Sequence, residues 1–199
     1  MGEFGPAASP RPMRADARRN YEKLVEVGRA AFAARGAEAS LDDIAKQAGV
    51  GPGTLYRHFP TRVALLEAVY RDDVTALCTH AEKLLADLPP AQALAAWMRT
   101  FVRYATTKRG LTEALRADIG EQKKTTPFFL DCSAAIRAAG GALLERAQQA
   151  GEVRTDASMA DLLKLVHGIA VVTEHATDDD GQAERLLSVV LDGLRPHPA

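Results

Sequence analysis

Few residues of this chain stand at spacings suited to covalent chemistry. Cys78 and His80 are two apart, so on a helix they face different ways and cannot serve as a nucleophile and its base. The two cysteines, Cys78 and Cys132, make no metal-type spacing and no disulfide framework. Asp178, Asp179 and Asp180, near Glu174 and His175, are residue types that bind divalent ions, but in a Gly-ended acidic run they read as a solvated turn. Gly51-Pro52-Gly53 lacks the preceding strand and the following Lys of a phosphate-binding loop. No catalytic residue, cofactor or metal site is therefore expected, and the chain does not read as an enzyme. The chemistry it does offer is recognition. Thr54, Tyr56, Arg57 and His58 put hydroxyl, aromatic, guanidinium and imidazole groups within five residues.

Those residues need a rigid element to present them. Ser40-Leu41-Asp42-Asp43 is a capping box that opens a helix with Leu41, Ile44, Ala45 and Ala48 inward, stopping at Gly49. Gly51-Pro52 opens a second short helix, with Pro52 in the first turn where its missing N–H costs nothing. Pro60 closes it by pushing Phe59 out of the α region. Two short helices around Gly49-Val50-Gly51 make a helix-turn-helix, with Ile44, Ala45 and Ala48 facing Val50, Leu55 and Phe59. The outer side of the second helix is then free to enter a major groove roughly 12 Å wide. Its first turn, Gly51-Pro52-Gly53, carries no side-chain donor, so reading there rests on close backbone approach or contact of the Pro52 ring with a thymine methyl.

Net charge is −1, which by itself argues against a nucleic-acid partner. Its distribution reverses that. Residues 1–62 carry ten Lys and Arg against seven Asp and Glu, a net +3, and the remainder is net −4. A basic segment on an acidic body suits a protein that touches phosphates with one end. Arg11, Arg14, Arg18, Arg19 and Lys23 either lie along a DNA backbone or minor groove, or form a solvated face.

Elsewhere the periodicity is helical. Residues 1–12 are rich in Pro and Gly and read as a disordered arm. A helix runs from Arg14 to Arg35, ended by Gly36, and another from Arg62 to about Leu88, capped by Thr61 and ended by Pro89-Pro90. Further helices are expected at about 91–108, 111–119, 127–150, 158–176 and 182–194. With no alternating strand and no repeat, the chain is all-α with about nine helices. No apolar run approaches the roughly 18–20 residues of a membrane span. The first dozen residues hold no apolar signal core, and a cytoplasmic protein is expected.

The stretch SLDDIAKQAGVGPGTLYRHFPTRVALLEAVY closely resembles the head of TetR-family regulators. Thr54, Leu55, Tyr56, His58 and Phe59 sit at that family's spacing, and the likeness covers Arg14 to Tyr70. It implies a helix-turn-helix DNA-binding domain over 13–62 and a helical ligand-binding and dimerisation domain over 63–199. It also implies a repressor that binds a near-palindromic double-stranded operator as a homodimer and is released by a small molecule, although activators resemble repressors at this level. Ser40 then either caps its helix only or also meets a phosphate. Tyr56 and His58 take phosphate contacts, Thr54 and Arg57 reach for base edges, and Arg57 has phosphate as its alternative. Arg62, where many relatives have Lys, holds a phosphate.

In the body, the resemblance pairs the last two helices with their copies. Leu186, Leu187, Val189, Val190, Leu191 and Leu194 independently occupy more than one face of a short helix. Two heads must also reach successive grooves about 34 Å apart, which asks for a dimer. Candidates to line a largely apolar effector pocket are Tyr70, Leu77, Trp97, Met98, Phe101, Tyr104, Phe128, Phe129 and His167. Taken singly, each of them reads first as an ordinary core or interface residue and only second as a pocket lining.

Overall fold

Helix α1 spans Arg11–Arg35 and is followed by a 3-10 turn at Gly36–Glu38, where Gly36 takes a positive φ of 50°. The computed structural model describes residues 11–107, 111, 114, 126–173 and 181–196. Helices α2 (Leu41–Gln47) and α3 (Pro52–His58) form the short pair, and α4 (Arg62–Asp87) and α5 (Pro90–Thr107) follow. Then come α6 (Pro127–Gln149), α7 (Met159–Val172) and α8 (Gln182–Asp192). The described residues are all helix and loop with no strand, as the periodicity requires. Helix α1 starts within the stretch read as a disordered arm, and residues 1–10 lie outside the described ones. The helix expected at 111–119 also falls mostly outside them, as does the acidic run 178–180 with Glu174 and His175.

Local chemistry explains the ends. Ser40, Thr61 and Ser158 each accept a backbone N–H three residues on, from Asp43, Ala64 and Asp161 respectively. Gly49 and Gly151, both at φ +70°, close α2 and α6 by the same device. The N–H of Val50 reaches the carbonyl of Ala45 at 3.0 Å, and that of Glu152 reaches Ala147 at 3.0 Å, so orphaned carbonyls are satisfied.

Helix α4 packs on α1, α5 and α6, and α5 also packs on α7 and α8. One continuous core runs from Leu24 and Phe32 of α1 through Leu65, Leu66, Trp97 and Leu143 to Leu187 of α8. Trp97 is fully buried, and its indole N–H donates to the Leu77 carbonyl at 3.2 Å. The close approach of α5 and α6 depends on Gly140. A Cβ there would stand 2.7 Å from the Trp97 ring and 2.9 Å from the Met159 sulfur. The Arg146 guanidinium donates to the Leu85 and Leu88 carbonyls at 2.7 and 3.1 Å and thereby ties α6 to the end of α4. Helix α6 is long and apolar enough to cross a membrane by length and composition, but Phe129, Ile136, Leu143 and Leu144 are buried against the other helices.

Candidate nucleic-acid interface

The helix-turn-helix forms as the spacing requires. Ile44, Ala45 and Ala48 of the α2 segment, with Leu55 and Phe59 of the α3 segment, are buried in one cluster, and Val50 is half-buried against it. Burying Leu55 and Phe59 turns the opposite side of α3 outward. Pro52, Gly53, Tyr56 and Arg57 are exposed, Tyr56 at 47%, and Thr54 is half-buried beside them. A Cβ added at Gly51 or Gly53 would meet nothing within 4 Å, so this turn presents bare backbone to the outside.

Not every expected contact residue stands on that face. His58 is half-buried, with its ring against Tyr21 of α1 (6.1 Å between centroids) and Phe59 (6.2 Å). Tyr21, which helical periodicity puts on the apolar face of α1, also leans on Phe59 at 5.1 Å and so buttresses the end of α3. Ser40 is exposed at the start of α2, and its Oγ accepts the Asp43 N–H at 3.5 Å.

Arg62 departs most from expectation. Its guanidinium turns inward, donating to the carbonyls of Ala39 at 2.6 Å and Gly36 at 3.0 Å, and lies 5.3 Å from the centroid of the Phe32 ring. The Gly36 carbonyl also accepts the Ala39 N–H at 3.4 Å, so the guanidinium adds a second donor there and braces both ends of the 3-10 turn that follows α1. The geometry therefore makes Arg62 a link between α4 and the start of the helix-turn-helix rather than an outward phosphate ligand. The basic run of α1 is also partly neutralised: Arg18 pairs with Glu22 at 3.2 Å and Arg19 pairs with Asp16.

Beside this unit, α1, α4 and α5 enclose an open cleft of about 660 Å³. Of the pocket candidates named from sequence, only Leu77 and Tyr104 line it. Trp97 and Met98 are core residues with no appreciable exposure, and the Trp97 ring lies between Leu77 of α4 and Gly140 of α6. Phe101 stacks on Trp97 at 5.5 Å, while Tyr70 takes Phe128 and Phe129 edge-on at 5.6 and 5.1 Å. His167 is exposed on α7. Burial pushes the Tyr70 hydroxyl up to about 12, and burial with the neighbouring Tyr70 pushes Tyr104 higher still.

What sequence reasoning missed is the ion-pair cluster at the cleft. Arg29 of α1 donates from Nε to Asp73 at 2.6 Å and from a terminal nitrogen to Asp72, both on α4. Burial alone would lower its pKa, but the hydrogen bonds and charges of Asp73 and Asp72 outweigh that and raise it. Nothing in the sequence marks a pair 43 and 44 residues apart.

Comparison with known proteins agrees with this geometry. Residues 24–69 match the family model for bacterial regulatory proteins of the tetR family, and residues 89–196 match the C-terminal domain of SbtR-like transcriptional regulators. The crystal structure of the TetR transcriptional regulator SCO0520 from Streptomyces coelicolor is 45% identical, with a TM-score of 0.77 over 89% of this chain and 99% of that one. A TetR regulatory protein from Mycobacterium vanbaalenii is 39% identical, with a TM-score of 0.75 over 93% of this chain and 100% of that one. An HTH-type transcriptional regulator of Staphylococcus aureus (strain USA300) is 37% identical over 76 residues, 38% of this chain and 41% of its own length. The chain thus spans about two fifths of the length of the curated relatives it matches. The buried helix-turn-helix core, the outward Tyr56-Arg57 face and these matches over both halves agree: the chain belongs to the TetR family of transcriptional regulators.

Proposed function

We propose that this regulator is a repressor that binds a near-palindromic DNA operator as a homodimer and is released when a small molecule occupies its helical body. The observation that carries the DNA reading is the outward face of α3, where Thr54, Tyr56 and Arg57 stand over a buried Leu55. Arg57 is suited to guanine O6 and N7, Tyr56 to a phosphate, and Thr54 to a base edge. Head and body are read as residues 13–62 and 63–199.

The dimer reading rests on apolar side chains left in the open. Leu165, Val171 and Val172 of α7 are 51%, 52% and 65% exposed, and Val189 of α8 is 70% exposed. An isologous four-helix contact of α7 and α8 with their copies would cover them and set two α3 helices at groove spacing. Release follows if the effector binds the DNA-incompetent arrangement more tightly, a coupling of about 1–3 kcal/mol.

The test is selection of a binding site from a random duplex pool, followed by anisotropy titration and sedimentation of wild type and Val189→Glu. The expected result is a two-fold symmetric site bound by a dimer, with the variant sedimenting as a monomer and binding at least tenfold more weakly. Recovery of no preferred duplex would overturn the DNA reading. An unchanged dimer in Val189→Glu would overturn the interface.

A further inference from the structure

Helix α1 and the turn that follows it meet α4 at three levels. At the foot, Arg62 holds the Gly36 and Ala39 carbonyls. Next, Gly28 lets α1 lie close to Leu65, whose side chain would stand 3.4 Å from a Cβ at position 28. Further along, the Arg29 guanidinium donates from Nε to Asp73 at 2.6 Å and from a terminal nitrogen to Asp72. Asp72 and Asp73 stand ten and eleven residues beyond Arg62 in the same helix. At 1.5 Å per residue that is about 15 Å along α4.

Packing here sets distance more than angle. The Gly28–Leu65 contact is apolar and non-directional, so it acts as a crossing point about which the two helices can turn. Beyond it, Ala30 and Ala33 of α1 and Ala76 of α4 are too small to interlock, and they line the open cleft of about 660 Å³. Arg29 and Asp73 line the same cleft, so the ion pair spans the region where packing is thinnest. Its bonds are directional. One planar guanidinium reaches two carboxylates at once, which the helices can satisfy over a narrow range of mutual angles. The Arg29 and Asp72 side chains are 40% and 58% exposed, so the pairing adds little to stability. What it supplies is orientation.

We propose that Arg29 is a positioning residue for DNA recognition: clamped by Asp72 and Asp73, it fixes the angle of the helix-turn-helix on the body and thereby the half-site spacing that the protein accepts. This rests on the reading of an operator bound by a homodimer. Leu24 and Phe32 of α1 share a buried cluster with Ile44, Leu55 and Phe59, so α3 moves with α1. Two bodies joined as a dimer hold two such heads. A turn of either head on its body shifts its α3 along the duplex, where one base pair is about 3.4 Å. An angle set in advance keeps affinity for the matching spacing and penalises the others.

The experiment is anisotropy titration of the full chain with duplexes that carry the half-sites recovered by selection, at the preferred spacing and with one base pair inserted or deleted between them. The quantity read is the ratio of affinities within one protein, because that ratio does not depend on how much of a variant is folded. Wild type is expected to lose about tenfold on either altered duplex, and Arg29→Gln about threefold or less. Asp72→Asn with Asp73→Asn is expected to match Arg29→Gln. All three changes together should give the same ratio again, since each set removes the same clamp. An unchanged ratio in Arg29→Gln overturns the proposal, as does a triple variant in which the two effects add. A wild type that binds its site but ignores the spacing overturns it too, and in all these cases the repressor reading stands. A wild type that holds no duplex overturns the repressor reading, and the spacing claim with it.

Discussion

The guanidinium of Arg62, at the first residue of α4, donates to the carbonyl of Ala39, the residue just before the α2 cap, at 2.6 Å. With the second bond to Gly36 at 3.0 Å, this holds the start of the body's longest helix to the entrance of the helix-turn-helix. A cation in this position acts on the protein's own backbone, so its removal should be felt in stability before it is felt in phosphate binding.

Arg62→Met is therefore expected to lower unfolding stability by about 1–3 kcal/mol, as charged hydrogen bonds to carbonyls are lost and the buried Ala39 is left short of a donor. The slope of log affinity against log salt on operator DNA should stay as in wild type. A slope shallower by about 0.9 with unchanged stability would mean that Arg62 neutralises a phosphate instead.

Arg57→Ala should behave in the opposite way. Arg57 is exposed and takes no part in the core, so the urea midpoint should hold within about 0.5 kcal/mol. Discrimination between the preferred base pair and its substitutes should fall by about 1–3 kcal/mol in competition titrations. If all duplexes weaken equally, the residue binds phosphate.

Gly140 and Gly141 are neighbours with opposite surroundings. Alanine at 140 would drive a Cβ against the Trp97 ring at 2.7 Å, whereas at 141 nothing lies within 4 Å. Gly140→Ala should cost about 1–3 kcal/mol by overpacking, offset in part by helix propensity. Gly141→Ala should raise stability by up to about 1 kcal/mol. Denaturant melts of the two variants shifting in the same direction would contradict this packing.

Tyr70 and Tyr104 set an alkaline limit. Folding favours their protonated phenols, chiefly through burial, so the stability they contribute is complete below the ordinary tyrosine pKa of about 10 and is lost as pH rises through the raised folded value. For Tyr70 that window runs from about 10 to about 12. Urea midpoints should fall across it, and Tyr70→Phe should flatten the fall. An equally steep fall in the phenylalanine variant would assign the alkaline transition to other groups.

The local parts of the site were legible in the residues themselves. Ser40, Gly49, Pro52 and Pro60 act within a few positions of where they stand, through a cap, a positive φ, a first-turn ring and a blocked α region. Leu55 and Phe59 could be assigned inward because α3 is too short to bury any other face. Periodicity likewise told which face of each long helix is apolar, and so the all-helical class.

What it could not tell is which helix that face meets. Trp97 became core because Gly140 leaves room for its ring, and Phe128 and Phe129 found partners in Tyr70, on a helix some sixty residues earlier. Arg62 reads from the sequence as a phosphate ligand and nothing there marks Arg29, and only the folded chain sets one on two carbonyls and the other between two aspartates. The physical reason is range. Caps, turns and side-chain direction depend on neighbours in sequence, and residue types report them directly. A cleft or an ion pair depends on the angle and offset at which long helices cross, which small differences in side-chain volume at distant positions decide together.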